Sequence, residues 1–437
     1  MSKFYPVCLR VILLLTLFTQ LSYAQKILVT EAKRQELRVL SDQLNSTFEA
    51  NHQAAINLAQ RNNWPVNFQK KNGTVIRLQG VSSLGFPVYI KTDNNTTAAA
   101  TTNTNTVQPG GILGLNLSGS SAILNDKLAI WDGGEVLSTH QEFAGKTITL
   151  HDTRYGVVEH TTHVAGTMLA KGVYAPAKGM AFGATTLASY DFDNDLSEMT
   201  AAASGLLLSN HSYGNVGGWN FNDTQNRWEW YGLPGDTEDY TFGYYDTRAQ
   251  AWDKIAFNAP YYLIVSAAGN SHGETGPAIG DDYYGFKSRT DQTMVDKGPR
   301  PSDISSNDAF DVITSTANAK NVLTVGAVNP LPFGPVSSSD ITIAYFSSWG
   351  PTDDGRVKPD ICGMGVNVLS TGIGSNTDYV TLSGTSMASP NVSGSLYLLQ
   401  EYYAKKNANN FMRSATLKAL VCNTAFDAGT TGPDYIY

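Results

Sequence analysis

Three side chains in this sequence, Asp132, His160 and Ser386, are of the types that together make a hydroxyl group nucleophilic. Ser386 stands in the small-residue segment 384–390, where a substrate backbone can approach closely. The helix-like run that follows would place Ser386 at a helix N-terminus, which favours a developing negative charge. A histidine can accept the serine proton, and a carboxylate can fix the tautomer of that histidine. The predicted chemistry is therefore attack of a serine on a carbonyl group.

The order of these residues, acid, base and then nucleophile, distinguishes between the known ways of building such a site. The acid precedes the histidine by 28 residues, and the histidine precedes the serine by 226. An α/β-hydrolase instead places its acid and histidine after a Gly-x-Ser-x-Gly segment. Ser386 lies in Gly-Thr-Ser-Met-Ala, and no histidine follows it in the chain. The α/β-hydrolase arrangement is excluded.

The elements that must position these residues can be identified from the flanking sequence. Asp132 ends the apolar run of KLAIWDGGE, which is typical of a buried strand that delivers a carboxylate at the carboxyl edge of a sheet. His160 opens a small-residue helix in HTTHVAGTMLAKG. Asp152 could compete as the acid, but no apolar strand precedes it. Asp132 is therefore the predicted orienting carboxylate.

These segments resemble the motifs of the subtilisin-like serine proteases, the subtilases. GTSMASP around Ser386 resembles the serine motif, and YLIVSAAGNSHG, with Asn270, resembles the oxyanion-hole segment. The resemblance covers residues 111–437. It implies an α/β, subtilisin-like three-layer fold with a mostly parallel central sheet, preceded by a small α+β propeptide domain.

The resemblance also implies roles for individual residues and a substrate class. Asp132, His160 and Ser386 would form the triad of a serine endopeptidase that acts through an acyl-enzyme intermediate on polypeptide substrates. Asn270 and the backbone N–H of Ser386 would bind the oxyanion. The residues expected to bind substrate are Ser212, Tyr213, Gly214, Ala267, Ala268 and Gly269. A catalytically silent subtilase-like binding or surface module is the alternative.

Other polar residues have simpler interpretations. His163, three residues after His160, is expected to pack within its helix, and His211 and His272 are expected to be structural or solvated. The acidic run 191–198 is more consistent with helix capping than with a calcium loop. Glu142 stands where subtilases often place a calcium-ligating aspartate, but the loop after the histidine helix lacks the oxygen side chains that would complete that site. No cofactor is required for the chemistry, no metal ligand is assigned, and calcium is unsupported at its usual position.

The N-terminus has the pattern of a secretory signal peptide, residues 1–24. Lys3 and Arg10 precede an apolar run too short to span a bilayer, and Ala24 supplies the small residue before the cut. We therefore expect no membrane span and a location outside the cell or at its surface. Cys362 and Cys422 then remain, and both a disulfide and two reduced thiols are consistent with the sequence.

Between the signal peptide and the protease lies a separate unit, residues 25–92. Residues 31–62 have the composition of a helix, a hairpin with Asn72-Gly73 at its turn follows, and FPVYIK is a further predicted strand. Residues 93–110 form a predicted Thr/Asn-rich linker. Residues 25–110 hold nine Lys/Arg and five Asp/Glu, a net charge of +4, whereas residues 111–437 hold 19 and 33, a net charge of −14. The sequence predicts a propeptide that docks on its own protease, inhibits it and is cleaved within the linker.

Length and composition agree with this organisation. The 437 residues are 42% hydrophobic and 16% charged, with a formal charge of −8 and no nucleic-acid signature. Two long polar excursions, 215–245 and 271–318, are expected to be loops that rim the cleft. The chain stops where related proteases usually continue, so a C-terminal truncation of the peptidase domain, residues 111–437, is also expected.

Overall fold

The structure, a computed structural model, describes residues 29–69, 75–92, 98–429 and 434–437. The predicted signal peptide, the Asn72-Gly73 turn and residues 93–97 of the predicted linker lie outside this part. Among the described helices, none combines the length and the apolar character needed to cross a bilayer.

The helices are α1 (Glu31–Asn62), α2 (Glu159–Leu169), α3 (Asp195–Ala202), α4 (Thr247–Asn258), α5 (Thr385–Lys406) and α6 (Ser414–Thr424). The strands are β1 (Asn67–Gln69), β2 (Val75–Val81), β3 (Pro87–Thr92), β4 (Leu128–Asp132), β5 (Thr147–Leu150), β6 (Thr186–Asp191), β7 (Leu208–His211), β8 (Tyr213–Asn215), β9 (Trp219–Asn222), β10 (Arg227–Trp230), β11 (Leu263–Ala267), β12 (Asp282–Phe286), β13 (Met294–Pro299), β14 (Leu323–Val328), β15 (Ile361–Met364), β16 (Val368–Thr371) and β17 (Tyr379–Leu382).

A parallel sheet forms the centre of the molecule. In the described residues it has seven strands in the order β15-β14-β11-β7-β4-β6-β5, and every neighbouring pair is parallel. All residues of β4, β7, β11 and β14 are buried. Because successive side chains point to opposite faces, burial of every residue means that both faces are covered. The predicted fold class is confirmed.

The sheet order explains why the predicted site residues can meet. Asp132 ends β4, Ser212 follows β7, and Asn270 follows β11. These strands are neighbours, β4 beside β7 and β7 beside β11, so their carboxyl ends lie along one edge. Helix α5 packs across β7, β11, β14 and β15 and also contacts α2. Loops that leave this edge therefore surround the start of α5.

The N-terminal unit consists of α1 and the antiparallel strands β1, β2 and β3. The side chain of Thr30 accepts a hydrogen bond from the N–H of Lys33 and begins α1, and Asn63, in a left-handed conformation (φ 55°), ends it. The helix therefore has the bounds that the sequence predicts. The predicted FPVYIK strand corresponds to β3.

This unit docks on residues 111–437, the predicted peptidase domain (hereafter the catalytic region), by strand pairing and by apolar packing. Strand β3 is antiparallel to β8, with Ile90 opposite Asn215 and Thr92 opposite Tyr213, which makes a mixed sheet β1-β2-β3-β8. A buried apolar cluster includes Leu78 and Phe86 of the unit and Tyr231, Leu233 and Phe286 of the catalytic region. Burial of each such side chain contributes roughly 1.5–3 kcal/mol relative to exposure.

The sequence suggested that the two polar excursions are loops, but parts of both form strands. These strands pair into one sheet in the order β13-β12-β10-β9. Strands β9 and β10 form a hairpin with Asn226 in a left-handed conformation (φ 51°). Strand β10 then pairs in parallel with β12 of the second excursion. Trp219, Trp230 and Tyr283 pack together in this sheet.

The described part of the predicted linker, residues 98–110, is packed against the catalytic region. The Thr104 and Ser395 hydroxyl oxygens are 2.5 Å apart, and the Gln108 side-chain amide donates to the Met180 carbonyl at 2.7 Å. These residues are thus held in place, which a Thr/Asn-rich composition alone does not predict. Hydroxyl and amide side chains anchor them through hydrogen bonds, a kind of packing that their low apolar content does not reveal.

Candidate active site

Asp132 and His160 are brought together by β4 and the first turn of α2. The two side chains are buried, and His160 Nδ1 lies 2.6 Å from Asp132 Oδ1. The Thr161 hydroxyl (3.1 Å) and the Gly133 N–H (2.6 Å) also donate to Asp132 Oδ1. These donors hold the carboxylate oxygen in place, and the carboxylate in turn orients the imidazole ring. Thr161 thus reinforces the Asp132–His160 pair.

Ser386 lies in the first turn of α5, which begins at Thr385 after Gly384. Pro390, four residues later, has no N–H to donate to the Ser386 carbonyl, as a helix would normally require. The Ser212 hydroxyl donates to that carbonyl at 2.5 Å instead. The Ser386 hydroxyl donates in return to the Ser212 carbonyl at 3.0 Å. Because Pro390 leaves the Ser386 carbonyl without its helical donor, this carbonyl can accept from Ser212. The contact connects the turn of Ser386 to the predicted substrate-binding segment 212–214.

A small cleft surrounds Ser386. Its walls include Tyr213, Gly214, Ala267, Ala268 and Gly269 from the predicted substrate-binding set, together with Asn215, Ser271, Thr314, Ala317 and Thr385. Ser212 belongs to the same region through its hydrogen bonds with Ser386. The sequence missed Thr314 and Ala317, which come from the second excursion. No motif marks these two residues, because long-range folding brings them to the cleft.

Asn270 is held so that its amide nitrogen is the group available for donation. The backbone N–H of Thr385 donates to Asn270 Oδ1 at 2.8 Å, and the Thr385 hydroxyl donates to it at 3.0 Å. Since an N–H can only donate, the atom that faces it must be the oxygen. The NH2 group of Asn270 is therefore the donor that this side chain presents next to the first turn of α5. Gly269 supports the turn with a φ of +106°.

The remaining histidines have partners elsewhere in the fold. His163 is fully buried, its Nε2 lies 2.9 Å from the Val368 carbonyl, and burial lowers its pKa to about 3. His211 contacts the Ser209 hydroxyl at 2.7 Å, and burial lowers its pKa well below the usual value. His272 contacts the Tyr345 carbonyl at 2.6 Å. All three rings form hydrogen bonds within the fold, and burial keeps His163 and His211 neutral.

The acidic residues after β6 hold other side chains. Asp195 Oδ2 accepts from Arg248 at 2.7 Å and from the Tyr213 hydroxyl at 2.9 Å. Asn194 precedes α3 but makes no capping hydrogen bond with its side chain, so the helix-capping interpretation is wrong. Asp152 does follow a strand, the partly exposed β5, contrary to the expectation from the sequence, and it accepts from the backbone N–H of Asp191 at 3.2 Å.

Glu142 does not fit a calcium site. Its buried carboxylate accepts from the backbone N–H groups of Gly172, Val173 and Tyr174 at 2.7, 3.0 and 2.8 Å, and from the Tyr379 hydroxyl at 2.6 Å. Burial alone would raise the pKa of Glu142, but these donors hold it below its usual value. A loop that points N–H groups at the carboxylate has the wrong polarity for a cation, which requires oxygen ligands. Across the described ranges, no group of three or more His, Cys, Asp or Glu side chains could hold a metal ion.

Cys362 and Cys422 are free thiols in the structure.

The similarity of this chain to known proteins identifies its family. The model of the subtilase family, Peptidase_S8, matches residues 137–437. C5a peptidase of Streptococcus pyogenes serotype M3 is 42% identical over 87 residues, which are 20% of this chain and 7% of that protein. Serine protease AprX of Bacillus subtilis is 41% identical over 96 residues, 19% of this chain and 21% of AprX. The matched segments thus span a small part of these relatives.

Among solved structures, the CspB protease of Clostridium perfringens has the same fold. The two superpose with a TM-score of 0.52 at 16% sequence identity, covering 77% of this chain and 96% of the CspB chain.

Proposed function

Because this chain belongs to the subtilase family, we propose that it is a secreted serine endopeptidase with Asp132, His160 and Ser386 as its catalytic triad. The observation that carries the proposal is the 2.6 Å contact between Asp132 and the Nδ1 atom of His160, on helix α2, which packs against the helix of Ser386. A catalytically silent module would have no need of this contact.

The proposed reaction follows from the atoms that these residues present. His160 Nδ1 faces Asp132, so Nε2 accepts the proton as Ser386 Oγ attacks the peptide carbonyl. The Asn270 NH2 group and the Ser386 backbone N–H bind the resulting oxyanion. His160 then returns the proton to the leaving amine, which leaves an acyl group on Ser386. Water, activated by the same nitrogen, hydrolyses the acyl-enzyme.

A fluorophosphonate probe, which labels only an activated serine, tests this proposal. Processed wild-type enzyme is expected to be labelled at Ser386 and to cleave a casein-type protein substrate. The Ser386→Ala variant, with an unchanged circular dichroism spectrum, should do neither. A folded, processed wild type that takes up no probe would favour the silent binding module.

We further propose that residues 25–92 are an inhibitory propeptide. Strand β3 lies antiparallel along β8, which is the position that a peptide substrate would occupy by strand addition. From Ile90 to Thr92 this strand runs along β8 toward Ser212, whose carbonyl accepts from Ser386. The opposite net charges of the two regions also favour docking. Removal of residues 1–24 as a signal peptide would accompany export to the cell exterior or surface.

The processing site is expected to lie between Thr92 and Ala98. Residues up to Thr92 belong to the sheet of the N-terminal unit, whereas residues 98–110 are anchored to the catalytic region. N-terminal sequencing of active enzyme should therefore give a start within residues 93–98, and the Ser386→Ala chain, produced alone, should keep a start near Gln25. An active enzyme that begins near Gln25 would contradict the propeptide assignment.

A further inference from the structure

A buried guanidinium site lies beside the catalytic aspartate. Arg77, from β2 of the N-terminal unit, is 2% exposed. Its guanidinium group donates to the carbonyl of Gly133, the residue that follows Asp132, and to Asp193 Oδ1 at 3.3 Å. The N-terminal unit thus places a positive charge one residue from the triad.

The walls of this site suit a planar cation. The guanidinium carbon of Arg77 lies 3.3 Å from the ring centre of Tyr155 and 4.6 Å from that of Phe192. A planar guanidinium stacks on aromatic faces while its edge forms hydrogen bonds, an arrangement that a non-planar lysine ammonium cannot reproduce. Gly133, Tyr155, Phe192 and Asp193 all belong to the catalytic region, so the site remains when the N-terminal unit leaves.

Asp193 is fixed by contacts within the catalytic region. Its Oδ2 atom accepts from the Tyr155 hydroxyl and from Arg154 at 3.3 Å, and its backbone N–H donates to Asp191 at 2.8 Å. Arg154 is 61% exposed, whereas Asp193 is 4% exposed. Departure of Arg77 would leave Asp191 and Asp193 with Arg154, which is mostly solvated, as their remaining cationic partner, and two neighbouring carboxylates with so little compensating charge are unfavourable.

The pairing of strands indicates which part of a substrate can reach this site. Arg77 is opposite Ile90 of β3, and Ile90 is opposite Asn215 of β8, two residues before Thr92. If a substrate strand took the place of β3, the residues on the amino-terminal side of its scissile bond would lie next to the site that Arg77 occupies. Neighbouring strands are about 4.8 Å apart. An arginine on the substrate strand can span this distance with its four-bond stem and still present its guanidinium group to Asp193.

We propose that the processed enzyme uses Gly133, Tyr155, Phe192 and Asp193 as a subsite for an arginine on the amino-terminal side of the scissile bond. Arg77 occupies the subsite in the unprocessed chain. The proposal rests on the proposed peptidase function and specifies its substrates as polypeptides with an arginine at one position before the cut.

The test uses processed enzyme and peptides that hold arginine, lysine or citrulline in turn at each of the positions two to six residues before the scissile bond. Citrulline has the shape of arginine without its charge. At one position arginine is expected to raise kcat/KM over citrulline by about ten-fold or more, as one charge-assisted hydrogen bond would. Lysine should fall clearly below arginine.

Asp193→Asn should bring the arginine-to-citrulline ratio at that position close to one. Asp282→Asn, which removes the same charge from an exposed position on β12, should keep the wild-type ratio. Fluorophosphonate labelling of Ser386 in both variants establishes that each is folded.

Three outcomes would overturn the subsite: no arginine preference at any position, a preference that survives Asp193→Asn, or equal use of lysine and arginine. In each of these cases the citrulline peptides are still cleaved, so the peptidase function stands. If no peptide is cleaved and Ser386 is not labelled, the proposed function itself fails.

Discussion

Replacing His160 by alanine is expected to lower kcat for peptide cleavage by about a million-fold, the order seen when one member of such a cooperative unit is lost. The ring, held by Asp132 at 2.6 Å, is the only group assigned to accept and return the Ser386 proton. Because this variant cannot process itself, its N-terminal unit should be removed by a trace of affinity-tagged wild-type enzyme. The tagged enzyme is withdrawn before turnover is measured.

His163→Ala is the matched control, because it removes the same side chain from the same helix. His163 is buried against the Val368 carbonyl and, with a pKa lowered to about 3 by burial, stays neutral throughout the working pH range. Its loss should reduce thermal stability but leave substantial turnover in the folded fraction. A folded His163→Ala enzyme as inactive as His160→Ala would overturn the assignment of the base.

Replacing Asn270 by alanine is expected to lower kcat about 10²- to 10³-fold with little change in KM. The hydrogen bond from its NH2 group would be strongest once the substrate carbonyl oxygen is negatively charged. Losing this hydrogen bond therefore destabilises the transition state more than the bound substrate. Thr385 holds the amide oxygen through its N–H at 2.8 Å and its hydroxyl at 3.0 Å, which fixes the direction of the donor. Steady-state kinetics of processed variants separate kcat from KM.

Asn270→Asp is a sharper variant at the same position. It keeps an oxygen for Thr385 but replaces the donor with a second oxygen, which carries negative charge when ionised and repels the oxyanion. We expect a larger loss than with alanine. A rise in KM at constant kcat in either variant would show instead that Asn270 binds the substrate in its ground state.

The parts of this fold that the sequence predicts are those governed by local signals. Helix α1 has a threonine cap and an asparagine end, and the strand of Asp132 is a short apolar run. The proposed active-site positions were also assigned from the sequence, because small-residue motifs in a distinctive order mark them. These signals act within a few residues and do not depend on distant partners.

Features that depend on distant partners were missed. The pairing of β10 with β12 joins residues 229 and 284, and although RWEW in β10 alternates polar and apolar residues, this alternation does not specify β12 as the partner. Residues 98–110 are held to the catalytic region by hydrogen bonds of hydroxyl and amide side chains. A low-complexity composition gives no sign of these contacts, because it contains few apolar residues. Arg77 is one of several basic residues in the N-terminal unit, and nothing in the sequence sets it apart. Only the fold shows that it stacks on Tyr155 and donates to Asp193.

The strand pairing between β3 and β8 has a consequence for how activity would respond to dilution. While the chain is intact, the tether would fix the effective concentration of the proposed inhibitory strand, so its occupancy of the cleft would be independent of protein concentration. Once a bond between Thr92 and Ala98 is cut, the same contacts would become a bimolecular complex that obeys mass action. Export into a large volume would then promote release, and the environment, rather than a further modification of the chain, would set the moment of activation.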